Sequence, residues 1–126
     1  MPSSTRYPLS VTVVSGVTVG TFPSEVDVGN AAAIRDHLLH LLDRGAGPLI
    51  LDLSGTRFCD CAGVAAILRV RRRAVEVRTS LCLVLPQGGS VRRIAAMTGL
   101  TRRLTSTTSL AAAHKALAAR GDAVRR

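Results

Sequence analysis

Residues 49–68 read LILDLSGTRFCDCAGVAAIL and carry the closest set of groups that could do chemistry, namely Asp52, Cys59, Asp60 and Cys61. A short apolar run bounded by turn residues reads as a strand buried on both faces. A loop follows, and then a helix whose first turn begins at residues 60–63. Free N–H groups and the positive end of the helix dipole at such a junction favour a phosphate or carboxylate, and a hydroxyl in that turn would be a well-placed phosphate acceptor. Ala62 supplies no hydroxyl. Cys61 is a thiol at a helix start, where a depressed pKa and oxidant sensing become conceivable, although a small buried residue is the plainer reading. Cys59 and Cys61 are separated by a single residue, so a bridge between them would be a strained ring.

The remaining candidates converge less. His37 and His40 are three apart on one predicted helix and His114 is far away in sequence, so a metal site would lack the three or four converging ligands that zinc takes. Asp52 and Asp60 flank one loop, but turn and cap chemistry accounts for both. Neither GxGxxG nor GxxxxGK[ST] nor GxSxG occurs, so nucleotide hydrolysis and the serine hydrolase elbow have no candidate residues. No metal, cofactor or catalytic residue is expected, and the chain reads as something other than an enzyme.

The elements that would position these residues follow from periodicity. Residues 9–14 and 17–22 are β-branched runs around Ser15-Gly16, a hairpin signal. Asn30 is placed to cap a helix with a stripe of Ile34, Leu38, Leu41 and Leu42, ended by Gly45 and Gly47. After the strand at 48–53 and the loop GTRFCDCAG, residues 64–78 set an apolar face against Arg69, Arg72, Arg73 and Glu76. Residues 81–85 form another buried strand, Ser90 is placed to cap a third helix, and Gly99-Leu100 resembles a left-handed C-cap with its hydrophobic contact. Residues 104–107 read as a short edge strand, and Ser109 caps a last helix predicted to end at Gly121. Strands alternating with helices from residue 30 onward argue for an α/β layer with parallel pairing behind an antiparallel hairpin.

With 126 residues, 47% hydrophobic and 20% charged, the chain has the size and apolar content of one packed domain. Its three aromatics, Tyr7, Phe22 and Phe58, leave little for base stacking. The net charge of +9 attracts acidic partners without specifying them, and the cluster of Arg69, Arg71, Arg72, Arg73 and Arg78 reads first as a solvated face. Nucleic-acid binding through that helix is the rival class and would weaken steeply with added salt. Residues 1–16 lack the pattern of a signal peptide, and no window is apolar enough to span a bilayer. The three cysteines form no disulfide framework, so a reducing cytoplasm is the expected compartment.

The segment LDLSGTRFCDCAG resembles the signature of the STAS family, the domain of bacterial anti-sigma factor antagonists and of sulfate-transporter tails, in which a strand of the type LDLS precedes F-x-D-S-S-G. EVDVGNAAAIRDHLLHLL is similar to the family's first-helix motif GELDLATAPALRAAL. SVRRIAAMTGLTRRL is similar to V-x-R-x-x-x-x-T-G-L, and SLAAAHKAL to the closing S-L-x-x-A-L helix. The resemblance spans residues 9–117. It implies an antagonist that binds an anti-sigma factor kinase and frees a sigma factor, until the kinase phosphorylates the second serine of D-S-S-G. Asp60 matches the Asp, Cys61 the first serine, Ala62 the phosphoacceptor and Gly63 the glycine. A methyl group cannot take a phosphoryl, so the resemblance implies either a permanently competent antagonist or a scaffold that has lost kinase recognition.

The expectation is therefore an α/β fold of STAS type, a mixed sheet of four or five strands with about four helices mainly on one face. Residues 1–8 would be an N-terminal segment, 9–120 the domain and 121–126 a basic, frayed tail. The partner-binding surface is expected at the acidic turn with Glu25, Asp27 and Asn30, the loop with Arg57 and Cys59, and the helix start with Asp60, Cys61, Ala62 and Gly63. Asp60 would cap the helix, Gly63 would admit close approach of a partner, and Arg57 would pair with partner acids.

Overall fold

A computed structural model describes residues 9–125, with side chains placed for 9–120. The expected segment 1–8 and the last residue of the tail lie outside the described residues. Strand β1 (Ser10–Val14) and strand β2 (Val17–Thr21) form the antiparallel hairpin, with Val14 opposite Val17. Its turn has Ser15 at φ 52° and Gly16 at φ 77°. Two positive values in succession match the right-handed twist of the flanking strands, which is why a glycine suits the second position.

From β2 the chain passes through a two-residue strand β3 (Glu25–Val26) into helix α1 (Ala31–Asp43) and returns as β4 (Leu49–Asp52), parallel to β2. A second two-residue strand, β5 (Phe58–Cys59), leads into helix α2 (Cys61–Glu76) and then β6 (Leu81–Val84). Helix α3 (Gly89–Met97), the single turn α4 (Leu100–Arg103), strand β7 (Thr105–Thr107) and helix α5 (Leu110–Arg125) complete the chain. The main sheet has the order β1-β2-β4-β6-β7, parallel except at the hairpin, and β3 pairs with β5 in a separate parallel ribbon.

The two faces of the sheet explain why 49–52 and 81–84 are apolar without alternation. Leu49, Leu51, Leu81 and Leu83 point into a core with Ile34, Leu38, Ile67 and Val70, which brings α1 to α4 to one face. Ile50, Cys82 and Val84 face the other way, where α5 covers them with Ala113 and Leu117. A strand covered on both faces loses the polar half of its pattern. Helices thus lie mainly on one face, as expected, with α5 alone opposite.

Four expectations need correction. Asn30 stands at the N-cap position of α1 but makes no side-chain cap, because its amide is committed to the preceding turn. Helix α3 begins at Gly89 behind Gly88, so Ser90 lies inside the helix, and its hydroxyl donates to the carbonyl of Arg57 at 3.0 Å. Helix α5 continues through Gly121 to Arg125, because one glycine costs a helix only about 1 kcal/mol. Lastly, the acidic turn and the loop before α2 contain the short strands β3 and β5.

Leu51 is fully buried at the centre of the sheet. Leu51→Ala should lower the unfolding free energy by roughly 2–5 kcal/mol in urea titrations followed by circular dichroism, since the sheet cannot collapse into the vacated volume.

Candidate functional site

The loop after β4 is held from below before it can present anything. Asp52 is buried, and its carboxylate accepts the N–H of Ser54 at 2.9 Å, closing the turn. The Thr56 hydroxyl, also buried, donates to the carbonyl of Pro23 at 2.8 Å. The N–H groups of Arg57 and Phe58 both donate to the Ser24 carbonyl, and the N–H of Asp60 donates to that of Val26. Such bonds tie residues 56–60 to residues 23–26 and generate the β3/β5 ribbon.

Asp60 then turns the chain into α2. Its Oδ1 accepts the N–H of Ala62 at 2.9 Å and that of Gly63 at 3.2 Å. The expected cap is present, and it changes the reading of the junction as an anion site. Two of the helix N–H groups already have a carboxylate partner supplied by the chain itself, so they are not free for an added phosphate.

Gly63 is buried, and a Cβ built on it would lie 2.5 Å from Cys59 Sγ and 2.8 Å from Val26 Cγ1. The close approach that this glycine permits is therefore internal, helix against ribbon, and not the approach of a partner. Cys59 is buried beneath the same turn. Its thiol is pushed up to about 11, first by burial and then by the neighbouring charges of Asp60 and Cys61. Cys61, two residues on, is exposed, and all three cysteines are free.

The acidic turn sits alongside. Asn30 accepts the N–H of Asp27 at 3.0 Å and donates to the Glu25 carbonyl at 2.9 Å, while the Asp27 carboxylate accepts the N–H of Gly29 at 2.8 Å. Asn30 and Asp27 therefore shape the turn, Glu25 is exposed, and Val28 is thrust outward at 82% exposure.

Of the expected surface, Glu25, Arg57 and Cys61 are exposed, Asp27, Asn30, Asp60 and Ala62 are half-buried, and Cys59 and Gly63 lie beneath. Two features escaped sequence reasoning. Phe58 is 47% exposed on β5 beside Arg57, whereas its neighbour Cys59 points inward. An open groove also runs between α1 and α2, walled by Val28 and Ala32 on one side and Ala62 and Ala65 on the other, with Arg35 and Arg69 in its lining. The small residues at i and i+3 were a visible signal, but alanine-rich helices are too common for it to stand out.

The other candidates stay dispersed. His37 and His40 are exposed on α1, and His114 is on α5 at the opposite face. Among the described residues no group of three His, Cys, Asp or Glu side chains could hold a metal ion. Arg73 of the basic run is paired with Asp43 at 2.8 Å and Glu76 at 3.0 Å, pairs half-open to water and worth little. No described helix is long and apolar enough to cross a membrane.

The family model of the STAS domain matches residues 8–113. A comparison with curated protein sequences finds no match. Among solved structures, an anti-sigma factor antagonist of Mycobacterium paratuberculosis superposes with a TM-score of 0.79 at 23% identity, over 86% of this chain and 92% of its own. A candidate anti-sigma factor antagonist of Thermotoga maritima gives 0.78 at 17% identity, over 90% and 97%. The phosphorylated form of the Bacillus cell fate determinant SpoIIAA gives 0.66 at 21% identity, over 86% and 98%. At these identities the likeness is one of fold.

Two outcomes follow from the packing under Asp60. Gly63→Ala should cost roughly 1–3 kcal/mol in denaturant titrations, and adding Cys59→Ala should recover part of that loss, a non-additivity that a double-mutant cycle would read. The Cys59 thiol is neutral when folded up to a higher pH than when unfolded. The stability this lends is present below about pH 9 and disappears as pH climbs toward 11. The wild type should therefore lose on the order of 2 kcal/mol more than Cys59→Ser between pH 8.5 and 11, measured by urea midpoints.

Proposed function

Because the chain belongs to the STAS domain family, we propose that it acts as an anti-sigma factor antagonist, docking on an anti-sigma factor of the serine-kinase type without being released by phosphorylation at the usual place. The observation that carries this reading is the half-buried Ala62 in the first turn of α2, preceded by exposed Cys61 and lining a groove with Val28, Ala65, Arg35 and Arg69. These side chains offer a partner an apolar centre with a basic edge, a composition suited to a protein-binding patch. Three free cysteines accord with work in a reducing cytoplasm.

The missing hydroxyl matters through charge. A phosphate at position 62 would place about two negative charges beside the Asp60 carboxylate and at the centre of the docking face, where repulsion and desolvation would expel a partner. Ala62 leaves no atom for that transfer, so the antagonist stays in its binding form.

The test is a pull-down with ATP-binding anti-sigma factors from the source genome. The wild type should remain bound when ATP is added and incorporate no phosphate. Ala62→Ser should bind without ATP, and with ATP should take up phosphate and dissociate at least tenfold more readily. Failure of both proteins to bind any such kinase would overturn the antagonist role and leave a scaffold.

A further inference from the structure

At the end of the sheet remote from Ala62, α2, β6, β7 and α5 leave a recess of about 110 Å³ in which Arg71, Arg103 and Arg120 meet. Among the described residues no acidic side chain lines it, and none of the three arginines forms an ion pair. Two of them are held in place by the backbone. Arg71 donates through Nε to the Arg103 carbonyl at 2.9 Å, and Arg120 donates through Nη1 to the Leu81 carbonyl and the Thr105 hydroxyl, both at 3.3 Å. Each guanidinium carries five N–H donors, so most of these remain unused after one or two bonds. The Arg103 side chain makes no hydrogen bond of its own among the described residues.

Three like charges gathered with no counter-charge among the described residues repel one another, and an oxyanion set among them would relieve that repulsion. The recess has room for one tetrahedral head group, and because it opens to solvent the rest of a ligand would lie outside it. Guanidinium forks match phosphate oxygens two at a time. Beside the arginines, Val75, which is 62% exposed, and Leu104 give one wall an apolar character that inorganic phosphate would leave unused.

We propose that this recess binds a phosphate monoester, with Arg71, Arg103 and Arg120 around the phosphate and the carbon portion lying toward Val75. The site stands apart from the docking face around Ala62 and does not depend on the antagonist reading.

The test is an amide chemical-shift titration of the full chain with inorganic phosphate and with phenyl phosphate, chloride being adjusted to hold ionic strength constant. Saturating shifts are expected around residues 71–81 and 103–105 with both, and tighter binding of phenyl phosphate. Equal affinity for the two would assign the site to free phosphate instead of the ester. Arg103→Gln should weaken binding about tenfold, as for loss of a charged hydrogen bond, and Arg120→Gln similarly, with melting temperatures confirming folding. Arg93→Gln removes the same charge from exposed α3 and should change nothing. Shifts that chloride alone reproduces, or that Arg93→Gln weakens as much as Arg103→Gln does, would overturn the proposal.

Discussion

The first turn of α2 lies so close to the β3/β5 ribbon that position 63 has no room for a methyl group. Much of the candidate site follows from this one steric fact. With the helix pressed against Val26 and Cys59, both side chains are sealed from water, and the ribbon is held in register by backbone bonds from residues 57, 58 and 60. Asp60 is then the last residue before the helix, where its carboxylate reaches two N–H groups. Ala62 is left half-buried facing the groove, and Cys61 is turned fully outward. A wider separation would free the ribbon, and the candidate site would lose its fixed shape along with the cap.

Polar groups are spent on holding this region rather than on reactivity. The buried polar side chains Thr18, Asp52 and Thr56 each have a partner, at Ala46, Ser54 and Pro23 respectively, and no buried side-chain nitrogen or oxygen lacks a hydrogen bond among the described residues. An unpaired buried polar group is the usual mark of a site waiting for a ligand, and the loop contains none. Three arginines with no ion pair among the described residues gather at the far end of the sheet, one each from α2, α4 and α5. The two ends therefore differ in character: one is a shaped surface whose buried polar groups are paired internally, the other an open recess lined by arginines.

The elements legible in sequence were those with enough residues to show a period. The hairpin announced itself through Ser15-Gly16, and α1 through the spacing of Ile34, Leu38 and Leu42 and its glycine stop at Gly45. The central strands showed as unbroken apolar runs. Strands β3 and β5 could not be read, because two residues carry no alternation and their pairing is set by backbone bonds that side-chain types do not reveal. Ser90 and Asn30 misled for a related reason. Both are good capping residues, yet tertiary partners, the Arg57 carbonyl and the turn at Asp27, took their side chains. Resemblance to the STAS signature located the loop and helix start, which periodicity alone would have left as an unassigned junction. It could not show that Cys59 and Gly63 lie under the surface while Phe58 and Val28 lie on it.

That division bears on how an acceptor serine can be absent from such a site without harm to the fold. The helix is capped by Asp60, one position before the helix begins, and the residue at 62 contributes to the cap only its backbone N–H, which alanine and serine share. Its side chain faces a groove already walled by Ala65 and Val28, so a methyl is at home there, and alanine has the better helix propensity. The fold thus draws on the main chain of this residue and leaves its side chain free to vary. The fold therefore exerts little pressure for an oxygen at position 62, whereas Gly63, one residue along, has no such freedom, because its missing side chain is what lets the helix and ribbon meet.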